Sequence, residues 1–286
     1  MTEPISSVGV VGGGFMGAGI AEVAALAGLA VVVRELPEYL DGARQRLEGS
    51  LDRVVTRGKL DAADRDSALA RVTLTSDLND LAGVDIVIEA VPEDVELKTT
   101  IMKALGGVVA EEAIIASNTS SIPIAQLAGR VPNPERVVGL HFFSPVPVMR
   151  LVEIIRALDT SDDTMATAHR LVGQLGKQAI ETKDRSGFIV NMLLVPYLMA
   201  AVRMYEDDFA SREDIDDGMK LGSGHPRGPL TLCDFIGLDI LHAICDSLYE
   251  EYKRDEYAPP PLMKRMIEAG RLGRKSGRGF YEYRTA

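Results

Sequence analysis

Hydrophobic positions divide the chain into two regimes. As far as about residue 183, short β-branched runs alternate with stretches of helical period, and beyond that point nearly every long stretch has the period of a helix. The runs 8–11, 30–33, 72–74, 85–89, 113–116, 137–140 and 151–155 read as strands. Several are apolar throughout instead of alternating, which is the pattern of a parallel sheet covered on both faces. Between the second and third lies a polar, helix-favouring stretch, 37–70, broken at Gly58, which reads as a helical hairpin. The polar, glycine-containing Lys183-Asp184-Arg185-Ser186-Gly187 precedes a strongly apolar helix and marks a hinge. The expected organisation is therefore an α/β domain over 1–186 and an all-α domain over 187–286. In the second domain Ser211-Arg212-Glu213-Asp214 starts a helix, 222–229 forms a loop, and Pro259-Pro260-Pro261 makes a rigid connector.

Composition narrows the partners. The chain is 46% apolar and 26% charged, as an ordinary globule is, and its 286 residues suit two moderate domains. A net charge of −11 leaves no basic field for nucleic acid, although an anionic small ligand can still be held by helix N-termini and a few cations. Met1-Thr2-Glu3-Pro4 carries no basic region, and Glu22, Arg34 and Glu35 interrupt the apolar stretch 8–36. Neither a signal peptide nor a spanning helix is expected. Cys233 and Cys245 have no His or Cys at metal-ligand spacing, so no metal site and no disulfide framework is expected, and a cytoplasmic setting fits.

The first strand runs into Gly12-Gly13-Gly14-Phe15-Met16-Gly17, a G-x-G-x-x-G between a strand and a helix. Gly12 permits the tight turn, Gly14 lets backbone approach a pyrophosphate, and Gly17 lets the helix close on its strand. Phe15 and Met16 open the helix whose N–H groups face the phosphates. Glu35, ending the second strand, is placed to accept hydrogen bonds from adenosine ribose hydroxyls, and its charge would repel a 2′-phosphate. NAD is therefore favoured over NADP, with adjacent Arg34 the one feature that points the other way. The fold class is α/β: a Rossmann-like, mainly parallel sheet with a helical-hairpin insert, followed by an all-α C-terminal domain.

His141 follows an apolar run, where the carboxyl end of a strand would meet a ligand crevice. Glu153 lies inside Leu151-Val152-Glu153-Ile154-Ile155, and an isolated charge buried there would be costly, so it needs a partner. A His–Glu pair answers both observations: the carboxylate orients the imidazole and stabilises its cation, and the other ring nitrogen serves as a base.

Five segments carry a resemblance to one enzyme family: Glu89-Ala90-Val91-Pro92-Glu93-Asp94, Ser117-Asn118-Thr119-Ser120-Ser121, His141-Phe142-Phe143-Ser144-Pro145-Val146-Pro147-Val148-Met149, Gly187-Phe188-Ile189-Val190-Asn191 and Gly277-Arg278-Gly279-Phe280-Tyr281. In this order, over essentially the whole chain, they resemble the 3-hydroxyacyl-CoA dehydrogenases, including the bacterial 3-hydroxybutyryl-CoA enzymes. The resemblance implies an NAD-dependent oxidation of a 3-hydroxyacyl-CoA, short-chain by preference, in a cleft between a nucleotide-binding domain and a helical domain that forms a homodimer. It implies His141 and Glu153 as the catalytic dyad, and Ser120 and Asn191 as substrate contacts. Glu93 and Lys98 fall on positions that meet the nicotinamide ribose, and Lys275 on one that reaches the cofactor. Ser50 and Arg57 match positions that contact coenzyme A. Arg57 replaces a lysine found in some members, and nearby Lys59 shares the work of meeting phosphate. Ser144 stands where the family commonly has Asn; its shorter hydroxyl donates a hydrogen bond on the cofactor side but does not reach as far.

Two other functions stand beside this one. A catalytically silent NAD- or acyl-CoA-binding protein could be built on the same fold. A dehydrogenase of a free 3-hydroxy acid would want a cationic clamp on the carboxylate and would have no need of the helical insert.

Overall fold

A computed structural model of the chain describes residues 5–283. The N-terminal tetrapeptide weighed above as a leader lies outside the described residues, as do positions 284–286 of the expected C-terminal domain. The chain forms two compact units, one ending at Asp184 and the other beginning at Arg185.

The first unit is built on β1 (Ser7–Val11), β2 (Ala30–Arg34), β3 (Val72–Thr75), β4 (Ile86–Glu89), β5 (Ile114–Ser117), β6 (Val137–Phe142), β7 (Leu151–Arg156) and β8 (Gln178–Lys183). They join in one sheet in the order β3-β2-β1-β4-β5-β6-β7-β8. Every neighbouring pair is parallel except β6 with β7. The arrangement is Rossmann-like, and the order reverses between β1 and β4, which opens a crevice at their carboxyl ends. Val8, Val10, Ile86 and Ile88 in the central strands are fully buried, each contributing roughly 1.5–3 kcal/mol through burial, and they anchor the core.

Six helices complete this unit: α1 (Phe15–Leu26), α2 (Leu40–Thr56), α3 (Ala62–Ala70), α4 (Val95–Leu105), α5 (Ile124–Ala128) and α6 (Asp162–Gln174). α2 and α3 are the expected hairpin, turning at Gly58, whose φ of +66° suits glycine. Their apolar stripe, Leu47, Leu51 and Ala68, packs into the core shared with α1. All seven expected strands are present. β8 was not expected: Gln178, Glu181, Thr182 and Lys183 make it mostly polar, because it is an edge strand with one neighbour.

Asp85 ties the start of β1 to β4. Its Oδ2 accepts from the backbone N–H of Ser6 at 2.7 Å and of Ser7 at 2.9 Å, and from both serine hydroxyls. Burial alone would push this carboxyl up, but the hydrogen bonds outweigh it and hold the group below its ordinary value of 3.8. Because the folded value is the lower one, the stabilisation is fully present above the unfolded value and is lost as pH falls through the folded one. Asp85→Asn is therefore expected to lower the urea midpoint near neutral pH, with the difference from wild type shrinking below about pH 4. A difference as large at about pH 3 as at about pH 7 would contradict this origin.

The second unit is helical: α7 (Val190–Glu206), α8 (Arg212–Ser223), α9 (Pro229–Ile236), α10 (Leu238–Tyr252) and α11 (Pro261–Glu268). Ser211 caps α8 by accepting from the Asp214 N–H, the start the sequence signalled, and the proline run leads into α11 with Pro261 at its first position. Two buried carboxylates organise the rest. Asp216 receives the N–H groups of Leu230 and Thr231 at the head of α9, and Asp234 receives those of Phe280 and Tyr281. A Cβ at Gly279 would collide with the Asp234 carboxylate, so the Gly-Arg-Gly-Phe-Tyr segment is a clasp in which that glycine is obligatory. Cys233 and Cys245 are buried free thiols, and burial pushes Cys245 up to about 12, which leaves it unreactive. Among the described residues no helix is long and apolar enough to cross a membrane, and no group of three or more His, Cys, Asp or Glu could hold a metal ion.

Candidate active site

The glycine turn is held by backbone. Gly12 adopts φ +101° and donates its N–H to the Arg34 carbonyl at 2.9 Å; a Cβ there would lie 2.7 Å from the Ala90 oxygen. A Cβ at Gly17 would strike the Gly12 carbonyl, so helix and turn close directly on each other. Gly14 is different, since a Cβ built on it meets nothing within 4 Å. It caps α1 with no side-chain hydrogen bond, so the first N–H groups of α1 are left to an incoming group, as a pyrophosphate requires. Glu35 lies against this turn, accepting from the Gly13 N–H at 2.7 Å through one oxygen and from the Leu36 N–H at 2.7 Å through the other. Each oxygen retains a second lone pair, which is what two ribose hydroxyls need. Phe15 is exposed, and Met16 packs partly into the core. The turn, the uncapped helix and the acid together fit a dinucleotide.

At the same carboxyl end of the parallel strands, the antiparallel pairing of β6 with β7 sets His141 directly opposite Glu153. The two side chains meet with Nδ1 of His141 2.7 Å from Oε2 of Glu153. Glu153 is fully buried and His141 is 6% exposed. The antiparallel register is the reason two residues twelve apart touch: directly opposite residues bring their Cβ atoms within about 5.5 Å. The Phe143 ring packs tilted against the imidazole, with centroids 4.5 Å apart.

Beside this pair, the loop after β5 is organised by a buried charge chain. Glu89, at the end of β4, is 0% exposed and receives the Val91 N–H and the Lys98 ammonium, each at 2.7 Å, and the Ser117 hydroxyl at 2.6 Å. Lys98 is 1% exposed and also reaches Oε2 of Glu93 at 3.3 Å. Oε1 of Glu93 then collects the Thr119 and Ser121 hydroxyls and the N–H groups of Ser120 and Ser121. Burial raises the Glu93 carboxyl, but Lys98 and these donors together hold it below the usual range. The structure thus brings Glu93, Lys98 and Ser120 together and encloses the Lys98 ammonium within protein. Glu89, Ser117 and Asn118 were not singled out from the sequence. The signal available was a glutamate closing an apolar run, the same one that drew attention to Glu153.

Ser144 is exposed just beyond β6. Ser50 is half-buried on α2, and Arg57 and Lys59 are exposed on either side of the Gly58 turn. Asn191 and Lys275 belong to the helical unit, Asn191 in the first turn of α7 and Lys275 paired with Asp239 at 2.6 Å.

Comparison with known proteins bears directly on these features. The family model described as the NAD binding domain of 3-hydroxyacyl-CoA dehydrogenase matches residues 7–185, and the one described as its C-terminal domain matches residues 187–283. The chain belongs to the 3-hydroxyacyl-CoA dehydrogenase family. A 3-hydroxybutyryl-CoA dehydrogenase from Mycobacterium tuberculosis is 52% identical over 286 residues, covering 99% of this chain and all of the relative. The crystal structure of M. tuberculosis FadB2 has a TM-score of 0.97 at 50% identity, covering 99% of this chain and all of that one. A second family structure, the (S)-3-hydroxybutyryl-CoA dehydrogenase PaaH1 from Ralstonia eutropha, has a TM-score of 0.93 at 47% identity, covering 98% of this chain and all of that one. The two family models together span both units, including the asparagine, lysine and glycine clasp of the helical one.

Proposed function

We propose that this chain interconverts 3-hydroxyacyl-CoA and 3-oxoacyl-CoA with NAD, 3-hydroxybutyryl-CoA being the preferred class, and that His141 and Glu153 are its acid–base dyad. The observation that carries the reading is the buried 2.7 Å contact between His141 and Glu153 at the end of the sheet where the glycine turn also lies. NAD, when bound, would supply the nicotinamide that accepts the hydride leaving C3. Gly12 and Gly14 with the first N–H groups of α1, at Phe15 and Met16, would hold its pyrophosphate, Gly17 letting the helix close on the turn, and Glu35 would take the adenosine ribose and reject a 2′-phosphate by like charge. Glu93, Ser144 and Lys275 complete the cofactor contacts, whereas Lys98, expected from the resemblance to meet the nicotinamide ribose, has its ammonium buried against Glu89 and Glu93 and acts by holding Glu93 in place.

In the oxidative direction Nε2 of His141 takes the C3 hydroxyl proton as the C3 hydride departs, and the imidazolium is stabilised by the Glu153 carboxylate at Nδ1. In the reductive direction the same imidazolium returns the proton to the C3 oxygen. The Ser120 hydroxyl and the Asn191 amide hydrogen-bond the substrate oxygens, orienting C3 for transfer. Ser50, Arg57 and Lys59 on the helical insert receive the coenzyme A portion, the two cations meeting its phosphates. The enzyme acts as a cytoplasmic homodimer, the helical unit supplying the subunit contact.

NADH consumption measured in parallel with acetoacetyl-CoA, free acetoacetate and no substrate tests the reading. Turnover of the thioester alone is expected. Turnover of the free acid alone would make the protein a hydroxy-acid dehydrogenase, and turnover of neither would make it a binding protein.

A further inference from the structure

β5 ends at Ser117, paired with Gly139, while β6 runs on through His141 to Phe142. Beyond that last pair, the Phe142 N–H has no strand to meet on the β5 side. It donates instead to the side-chain oxygen of Asn118, at 2.9 Å. The Asn118 main chain faces the other way, its N–H donating to the Glu89 carbonyl at 2.9 Å. One residue therefore prolongs the sheet on both sides: its backbone continues the ladder with β4, and its amide replaces the missing rung to β6. The fastening lies one residue from His141 on β6 and two residues from Ser120 on the loop. The far end of that loop is gathered on Glu93.

We infer that Asn118 is a positioning residue for the reaction: its side-chain carbonyl, bound to the Phe142 N–H, holds the Ser120 hydroxyl in register with the His141 imidazole. The inference rests on the proposed roles of Ser120 and His141. Asn118 touches neither substrate nor cofactor in this account; it sets the spacing between the group that orients the substrate oxygen and the group that takes its proton. Misplacing a reacting pair by about 1 Å can cost on the order of a hundredfold in rate, so a single hydrogen bond at this point has kinetic leverage out of proportion to its strength. An acceptor at this position is the chemical requirement, which Asp meets, Ser meets with shorter reach, and Ala lacks.

The test is a double-mutant cycle on the full-length enzyme with acetoacetyl-CoA and NADH. Asn118→Ala is expected to lower kcat by about 10- to 100-fold, with KM for NADH within about twofold of wild type. Asn118→Asp is expected to regain most of the loss. If Asn118 acts through Ser120, its substitution costs little more once Ser120→Ala is present, so the two losses fail to multiply. Should Asn118→Ala melt well below wild type, the same cycle is run with Asn118→Ser, whose shorter reach is expected to cost kcat less than alanine does while its loss likewise fails to multiply with that of Ser120→Ala. Losses that multiply, an aspartate variant as slow as the alanine one, or an effect confined to KM for NADH would each overturn the inference while leaving the proposed activity standing. A wild-type enzyme that turns over no 3-oxoacyl-CoA would take both down.

Discussion

Replacing His141 with Gln is expected to lower kcat by at least about a hundredfold while the dissociation constant for NADH barely moves. Gln keeps a donor that can reach the Glu153 carboxylate, so the buried acid is not abandoned and the variant folds. It has no group that accepts a proton from an alcohol or returns one to an alkoxide, so the chemical step is what suffers. The glycine turn lies between β1 and α1 and Glu35 follows β2, each separated from β6 by two or more strands of the sheet, which is why cofactor affinity is spared. Steady-state kinetics in the reductive direction and a fluorescence titration of NADH measure the two quantities. A variant that keeps wild-type kcat would remove His141 from its role.

The largest expected effect on stability comes from Lys98→Met. Glu89 is fully buried and its only cationic partner among the described residues is Lys98, itself 1% exposed. Removing the ammonium leaves an anion with one N–H and one hydroxyl donor in the interior, a loss on the order of 3–5 kcal/mol. Adding Glu89→Gln removes the stranded charge and should restore a large part of the stability, because a buried ion pair as a whole contributes little net. Thermal melts of the single and double variants decide this. A double variant as unstable as Lys98→Met alone would show that the ammonium matters for some reason other than charge compensation. Activity should fall with the single substitution as well, since Lys98 also steadies Glu93, on which the Ser120 loop is gathered.

Much of this was legible in the residues themselves, for physical reasons that differ by element. The central strands announce themselves because a parallel sheet covered on both faces needs uninterrupted Val and Ile, as in β1 and β4. The helical hairpin was legible from its polar, helix-favouring residues and the Gly58 break. β8 was not, because one edge of it is unpaired and its side chains are mostly polar, so no hydrophobic period marks it. The His141–Glu153 contact could be anticipated from the cost of a lone carboxylate in an apolar strand, but its geometry depends on β7 running antiparallel to β6, which spacing alone does not reveal. The same reasoning applied to Glu89 would have found a second buried acid. Its partner Lys98 lies on the following helix, and nothing in local pattern shows an ammonium turned inward. Asn118 was invisible as a sheet extension, since its role exists only where three strands of unequal length end side by side.

The central claim is that His141 and Glu153 act as one catalytic unit. It is tested most directly by kcat for acetoacetyl-CoA reduction in His141→Gln, Glu153→Gln and the double variant. Glu153→Gln is expected to lose about a hundredfold or more, because the amide neither fixes the imidazole tautomer nor stabilises its cation. The double variant is expected to be no slower than His141→Gln alone. A Glu153→Gln enzyme at wild-type rate, or a double variant in which the two losses multiply, would contradict the account.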